Sequence, residues 1–118
     1  MKLYFLIAGL TVMVLFKKHN LAGEWSSNGK NNTRTILQFT KNGHFTIIAA
    51  GGHIENKGLY ILKNDSFYIR DSNCGMKVTG LYALHFFTED AVQFNVVTDK
   101  CSDRSSEING GIIVRSLH

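Results

Sequence analysis

The 118-residue chain contains no proline, which excludes a proline-rich linker or a proline-rich recognition tail. Charged residues make up only 19% of the chain and hydrophobic residues 44%. This is the composition of a globular protein, and it excludes an intrinsically disordered chain. The length corresponds to one domain.

Clustered positive charge is also missing from most of the chain, although the formal net charge is +4. Three of the 13 lysines and arginines lie in the first 20 residues, where there is no acid, so ten cations and nine acids remain from Leu21 onward. A nucleic-acid-binding surface needs a clustered basic face. We therefore expect no nucleic-acid partner.

The sequence lacks a catalytic or metal-binding constellation. Its five histidines show none of the i, i+2 or i, i+4 spacings that metal sites use. The serine pairs have no nucleophile-elbow context, and the adjacent Glu89 and Asp90 would point to opposite faces of a strand. We therefore predict a protein that is not an enzyme and has no catalytic residue, metal ligand or cofactor.

Long hydrophobic runs are absent except at the N-terminus, where 14 uncharged residues, 3–16, lie between Lys2 and Lys17. This run is shorter than the roughly 20 residues of a membrane-spanning helix and fits the apolar region of a secretory signal peptide. We predict a signal peptide over residues 1–20 and one domain over residues 21–118. An uncleaved N-terminal membrane anchor and a buried element of the fold are the alternatives. The protein is then exported, to the periplasm or the medium, and would contact a membrane only through an uncleaved leader.

Cysteine is scarce, because Cys74 and Cys101 are the only two. In an exported protein an even number of cysteines indicates a disulfide, and two cysteines allow a single intramolecular pairing. Two free thiols in a reducing compartment are the alternative.

After Gly23, turn signals separate short alternating runs at intervals of eight to twelve residues, which is typical of an all-β sandwich or barrel. Leu37 and Phe39 share one face of such a run, and Asn42-Gly43 after it is a strong hairpin signal. Short connections favour sequential antiparallel neighbours, so we predict an up-and-down barrel, with a sandwich as the alternative. One helical turn is expected within residues 102–107, with Ser102 as its N-cap. The eight predicted strands are Gly23–Ser27, Arg34–Thr40, His44–Ala50, Lys57–Leu62, Ser66–Arg70, Lys77–Phe86, Ala91–Val97 and Gly111–Arg115.

Two segments share a weak internal repeat of a Gly-Leu-Tyr strand, an acidic turn, a second strand, an aspartate and a cysteine. Two hairpins that end alike would bring both cysteines to the same rim of the barrel. Asp71 and Asp99 could then face each other across that rim, and we expect them to cap turns by accepting backbone hydrogen bonds. The alternative is that the repeat has no significance, because any two hairpins share such features. The repeated units begin at Gly58-Leu59-Tyr60 and Gly80-Leu81-Tyr82 and end at Cys74 and Cys101.

The motif Gly23-Glu24-Trp25 holds the only tryptophan and opens the first predicted strand. It resembles the Gly-x-Trp signature of lipocalins and other calycins. The whole segment from Gly23 to about Arg115 is similar to the small lipocalin-like domains of exported bacterial proteins. We expect Trp25 to close one end of the barrel and a late arginine, Arg104 or Arg115, to lie over its ring. The similarity rests on Gly23-Glu24-Trp25, Phe39-Thr40, Asn42-Gly43, the two Gly-Leu-Tyr segments and Asp99-Lys100-Cys101-Ser102-Asp103-Arg104.

The resemblance implies a β-barrel with a binding cavity, so we expect a non-enzymatic binding protein for a small apolar or amphipathic ligand. Tyr60 and Tyr82 would supply polar handles for that ligand, together with the rings of Phe45 and Phe94. The inward-facing candidates are Phe39, Phe45, Ile47, Tyr60, Phe67, Tyr82, Phe94 and Val96.

The alternative is a protein-binding barrel, such as an inhibitor of an exported protease. Its contact would be Leu21-Ala22 or the loop Gly51-Gly52-His53. An avidin-type binder is a third hypothesis, weakened by the single tryptophan. A full-sized cavity would favour the carrier, whereas an interior filled by side chains with an exposed apolar loop would favour the protein binder.

Overall fold

A computed structural model describes residues 18–28 and 33–117 of the chain. Its eight strands form a closed antiparallel barrel in which each strand pairs with its sequence neighbours and the last pairs with the first. The predicted all-β, up-and-down barrel is therefore confirmed, and the sandwich alternative is wrong. The strands are β1 (Gly23–Asn28), β2 (Arg34–Phe39), β3 (His44–Ile48), β4 (Ile54–Lys63), β5 (Ser66–Asp71), β6 (Gly80–Thr88), β7 (Ala91–Thr98) and β8 (Ile112–Arg115), with helix α1 (Ser102–Ile108) between the last two.

The predicted leader lies outside the described residues except for its last three positions, 18–20. Within the part of the chain that the structure describes, no helix has both the length and the apolar character needed to cross a membrane.

Alternation along the strands decides which side chains fill the barrel, because successive side chains point to opposite faces. Phe39 and Phe45 are paired across β2 and β3 and are both buried, and Leu37 and Ile47, two residues away, pack against the same core. The inward face predicted for these strands is therefore confirmed. The buried hydrophobic core comprises Leu21, Trp25, Phe39, Phe45, Phe67, Ile69, Tyr82, Leu84, Val92, Phe94 and Ile113.

Val96 was predicted to face inward, but its side chain is 37% exposed. It lies near the end of β7, at the register shift where Tyr82 pairs with Val96 but Leu81 pairs with Thr98. The shift interrupts the regular ladder, so the core covers Val96 only partly.

The predicted Asn42-Gly43 hairpin turn is confirmed, and Asn64-Asp65 forms a second tight turn. Asn64 and Asp65 join β4 to β5, and both have positive φ angles, 50° and 63°, as a two-residue type I′ turn requires. Asn42-Gly43 lies in the β2–β3 connection, where Gly43 has φ 91° and a Cβ atom would lie 3.0 Å from the carbonyl oxygen of Tyr60. Asparagine, aspartate and glycine tolerate these left-handed conformations better than other residues.

All eight strands differ from their predicted bounds by one to three residues, and β4 begins at Ile54 rather than Lys57. β6 begins at Gly80 rather than Lys77, because the residues before it form a turn in which the Val78 amide bonds the Gly75 carbonyl oxygen at 3.1 Å. Helix α1 is capped by Cys101, not Ser102, and the Cys101 carbonyl oxygen accepts the first helical bond from the Ser105 amide. Ser102 is therefore the first residue of the helix.

Candidate functional site

A disulfide joins Cys74, after β5, to Cys101, before α1, with their Cα atoms 6.0 Å apart. Both cysteines are used, so the predicted pairing is confirmed and the free-thiol alternative is wrong. The two hairpins of the repeat do end at the same rim of the barrel. A disulfide is typical of proteins in a non-reducing, exported environment.

Arg104 lies beneath this disulfide and joins the two aspartates of the repeat. Its Nε and Nη2 atoms donate to both carboxylate oxygens of Asp99, at 2.7 and 2.8 Å, and its Nη1 lies 3.5 Å from Asp71 Oδ2. Arg104 is 5% exposed and Asp71 1% exposed. The guanidinium therefore holds two carboxylates in a buried charged cluster.

The same aspartates fix the backbone at both cysteines. Asp71 Oδ1 accepts a hydrogen bond from the Cys74 amide at 2.8 Å, and Asp99 Oδ1 accepts one from the Cys101 amide at 3.0 Å. The predicted turn-capping role of Asp71 and Asp99 is confirmed. The sequence prediction did not connect Arg104 to them, because it placed this arginine among the candidates for Trp25.

Tyr82 completes the cluster from β6 by donating its hydroxyl proton to Asp99 Oδ2 at 2.5 Å. Burial alone would raise the pKa of Asp99, but hydrogen bonds from Arg104, Tyr82 and the Cys101 amide outweigh it and lower the pKa to about 2. Burial and the Asp99 carboxylate both raise the pKa of Tyr82. Asp99 is thus held ionised and Tyr82 protonated, which suits a structural cluster rather than a proton-transfer pair.

Trp25 closes the opposite end of the barrel and is fully buried. Its indole Nε1 donates to the Leu21 carbonyl oxygen at 2.8 Å, and the Arg115 guanidinium lies 4.3 Å from the ring centroid. Arg115 is therefore the late arginine over the tryptophan, and Arg104 is not. Gly23 has φ 122°, and a Cβ atom there would lie 3.1 Å from Arg115 Nη1, so the glycine of the motif makes room for the arginine.

Of the four predicted ligand-binding residues, Phe45, Tyr82 and Phe94 are buried in the core and Tyr60 packs against it, so ligand binding by them stays a prediction. The hydroxyl groups of both tyrosines are already engaged, since Tyr60 donates to the Thr40 carbonyl oxygen at 2.6 Å and Tyr82 donates to Asp99. Burial raises the pKa of Tyr60 as well. The two hydroxyl groups that were expected to bind a ligand thus already donate hydrogen bonds within the protein.

Aromatic rings from five strands contact one another across the interior. Phe67 on β5 is central, with its ring centroid 5.0 Å from Phe94 on β7, 5.9 Å from Tyr60 on β4 and 6.2 Å from Phe39 on β2. Phe45 on β3 lies 6.3 Å from Phe39. These tilted, edge-to-face and stacked contacts join the rings into one aromatic cluster in the interior.

Two clefts among the described residues lie outside the core. One, of about 360 Å³, lies at the Trp25 end between the segment 18–20 and the β6–β7 turn, and its wall includes the Arg115–Asp90 ion pair at 3.0 Å. The other, of about 180 Å³, lies on the outer side of β4 and β5. Tyr60 borders the second cleft, and Phe45, Tyr82 and Phe94 border neither.

The two segments that were predicted to contact a protein partner differ in their exposure to solvent. Leu21 is 1% exposed, so its side chain is occupied in the core. The loop Gly51-Gly52-His53 is exposed, is shaped by two glycines with φ 99° and 88°, and is followed by Ile54, which is 60% exposed. The loop is therefore the segment of the two that can reach a partner.

No protein-family model and no curated protein matches this chain. Among the described residues there is no group of three histidine, cysteine, aspartate or glutamate side chains that could hold a metal ion.

Proposed function

We propose that this chain is an exported, non-enzymatic, lipocalin-like barrel that binds a protein partner through its outer surface. The observation that carries the proposal is the aromatic cluster around Phe67, which occupies the space where a carrier would hold its ligand. Small barrels whose interiors are filled by their own side chains present only their outer surface and loops to other molecules.

The engaged tyrosines support the same function. A ligand that accepted a hydrogen bond from the Tyr82 hydroxyl would have to displace Asp99. Because the Asp99 side chain is fully buried, losing this bond without replacement costs about 1–3 kcal/mol. The interior is therefore a poor site for a small ligand.

The outer surface, in contrast, carries large apolar side chains. Ile54 and Ile61, both on β4, are 60% and 61% exposed. Exposed apolar residues rimmed by polar ones are typical of protein–protein contacts. The partner is expected in the same exported compartment as the disulfide-bonded barrel.

Native mass spectrometry of the full chain, purified gently from its own host, tests the interior. We expect a mass two hydrogens below the reduced value and no retained small molecule. A stoichiometric small molecule would contradict the proposal and restore the carrier hypothesis, which otherwise stays a prediction.

Photo-cross-linking in the host tests the outer surface. A photoreactive residue at position 54 or 61 is expected to give a defined protein adduct, whereas one at the buried position 67 is not. Equal adduct formation at buried and exposed positions would show that the adducts are unspecific and would argue against the proposal.

A further inference from the structure

One outer face of the barrel combines apolar side chains with positive charge. On β5 and β6 the buried Phe67, Ile69 and Tyr82 alternate with residues that point outward. We define the β4–β6 face by its outward residues: Leu59, Ile61, Tyr68 and Leu81 at the centre, and Lys57, Lys63 and Arg70 at the rim.

The centre of this face is continuous across three strands. Ile61 pairs with Tyr68, and Tyr68 pairs with Leu81, so their side chains stand in one row. Ile61 is 61% exposed and Tyr68 37% exposed. The outer cleft of about 180 Å³ runs along this row and is bordered by Leu59, Ile61, Tyr68 and Arg70. That volume is smaller than the roughly 300 Å³ at which small-molecule pockets begin, so the cleft suits a single protruding side chain.

The rim of the face is positively charged at both ends. Arg70, which pairs with Leu59, lies on one side of the row along the strands, and Lys63, which pairs with Ser66, lies on the other. No ion pair found among the described residues involves Lys57, Lys63 or Arg70. The outward positions of 57–63, 66–70 and 81–85 include no acid. The nearest acids are Glu55 on β4 and Asp65 in the β4–β5 turn, and Asp65 contacts His19 Nδ1 at 3.0 Å.

These residue types are those that contribute most to binding energy. Tyrosine and arginine are enriched among the residues that dominate protein interfaces, particularly beside pockets from which water is excluded. Unpaired cations around an apolar centre complement a partner with carboxylates on either side of an apolar anchor, and they also speed its association.

We propose that the β4–β6 face binds an acidic protein segment, which inserts one aliphatic or aromatic side chain beside Ile61 and Tyr68 and places carboxylates near Lys63 and Arg70. This inference rests on the proposed protein-binding function and names the surface and the chemistry of the partner.

The test is a titration of the isotope-labelled full chain with three short synthetic peptides, followed by NMR. The first peptide has glutamates on both sides of one leucine, the second replaces every glutamate by lysine, and the third replaces the leucine by serine. We expect the first peptide alone to shift the amide signals of Ile61, Tyr68 and Leu81. No shift at these amides would overturn the proposal.

Matched variants locate the binding site. Ile61→Ser and the double variant Lys63→Glu/Arg70→Glu should each weaken binding of the acidic peptide at least about tenfold. Val114→Ser removes an exposed apolar residue from β8, and Arg34→Glu makes one such charge reversal on β2, so both should leave the affinity unchanged. Unaltered NMR spectra away from the substitution will show that each variant is folded.

The outcomes separate this surface from the wider proposal. Loss of binding in Ile54→Ser but not in Ile61→Ser would overturn the β4–β6 face while leaving a protein-binding barrel that uses the 51–53 loop. Binding to phosphatidylglycerol vesicles without binding to the acidic peptide would overturn the acidic partner in favour of a membrane. A small molecule retained by the host-purified protein would instead refute the protein-binding function itself.

Discussion

At the scale of single residues, Arg104 determines how the disulfide rim is built. It neutralises Asp99 through a bidentate contact and lies beside Asp71, and each aspartate in turn holds the backbone amide of one cysteine. Removing one member of such a cluster leaves buried charges without compensation, which costs more than the cluster contributes in net stability.

Arg104→Met should therefore lower the free energy of unfolding by about 3–5 kcal/mol, because it leaves two buried carboxylates without their cation. Urea denaturation followed by circular dichroism measures this difference. Arg34→Met, at an exposed position on β2, is the control and should change the stability by less than about 0.5 kcal/mol. Equal effects of the two substitutions would remove Arg104 from this account.

Asp99 should make stability depend on pH in the acid range. Its pKa of about 2 in the folded protein lies below the ordinary value of 3.8, so its stabilising effect is present above pH 3.8 and is lost as the pH falls toward 2. The urea midpoint of the protein should fall across this window, and the fall should be smaller in Asp99→Asn. An identical decline in both proteins would show that other groups cause it.

Trp25 is the largest of the fully buried side chains, and its replacement should leave a large cavity at the end of the barrel. Trp25→Ala should lower the stability by about 3–5 kcal/mol, measured by urea denaturation. As an independent check, the fluorescence of Trp25 in the native protein should be that of a buried indole. Emission typical of a fully water-exposed indole would show that it does not close the barrel.

At the scale of elements, the disulfide links the two hairpins of the repeat across 27 positions of the chain. Cys74→Ser/Cys101→Ser should lower the stability by roughly 3–4 kcal/mol, because the unfolded chain loses a covalent constraint. Thermal unfolding under non-reducing conditions measures the change, and chemical reduction of the unsubstituted protein should match it. An unchanged melting temperature would show that the bridge contributes nothing.

The sequence predicted the strands and their inward faces, but, the two cysteines apart, it did not predict which distant side chains contact each other. Period-two alternation and the Asn-Gly and Asn-Asp turns are local signals, so the inward positions of Phe39 and Phe45 followed from them. Which arginine meets Trp25 depends instead on where two distant segments of the barrel lie. Arg104 and Arg115 could not be distinguished locally, and their different partners emerge only when the barrel closes.

The apolar row on the outer surface was not predicted from the sequence, for a different reason. The alternation that assigned Phe67 and Tyr82 to the interior also assigned Tyr68 and Leu81 to the outside, but their alignment with Ile61 depends on strand register. The aspartate two or three residues before each cysteine, Asp99 and Asp71, was a usable signal for the rim. No comparable signal marked Arg104, because a single arginine after a cysteine is compatible with many contacts.

At the scale of the whole molecule, Trp25 and Arg115 pack at one end of the barrel, and the disulfide and the buried charge cluster lie at the other. A cluster of aromatic rings lies between them. We propose that these rings leave no room for a ligand in the interior.

The most direct test is binding of benzene by the unsubstituted protein and by Phe67→Ala, measured by NMR and calorimetry. Phe67 contacts Phe39, Tyr60 and Phe94, so its truncation should open an apolar cavity that takes up benzene, as dry engineered cavities in protein cores do. The account predicts benzene binding by Phe67→Ala and none by the unsubstituted protein. Saturable binding of benzene inside the unsubstituted barrel would contradict the account and favour a small-molecule carrier.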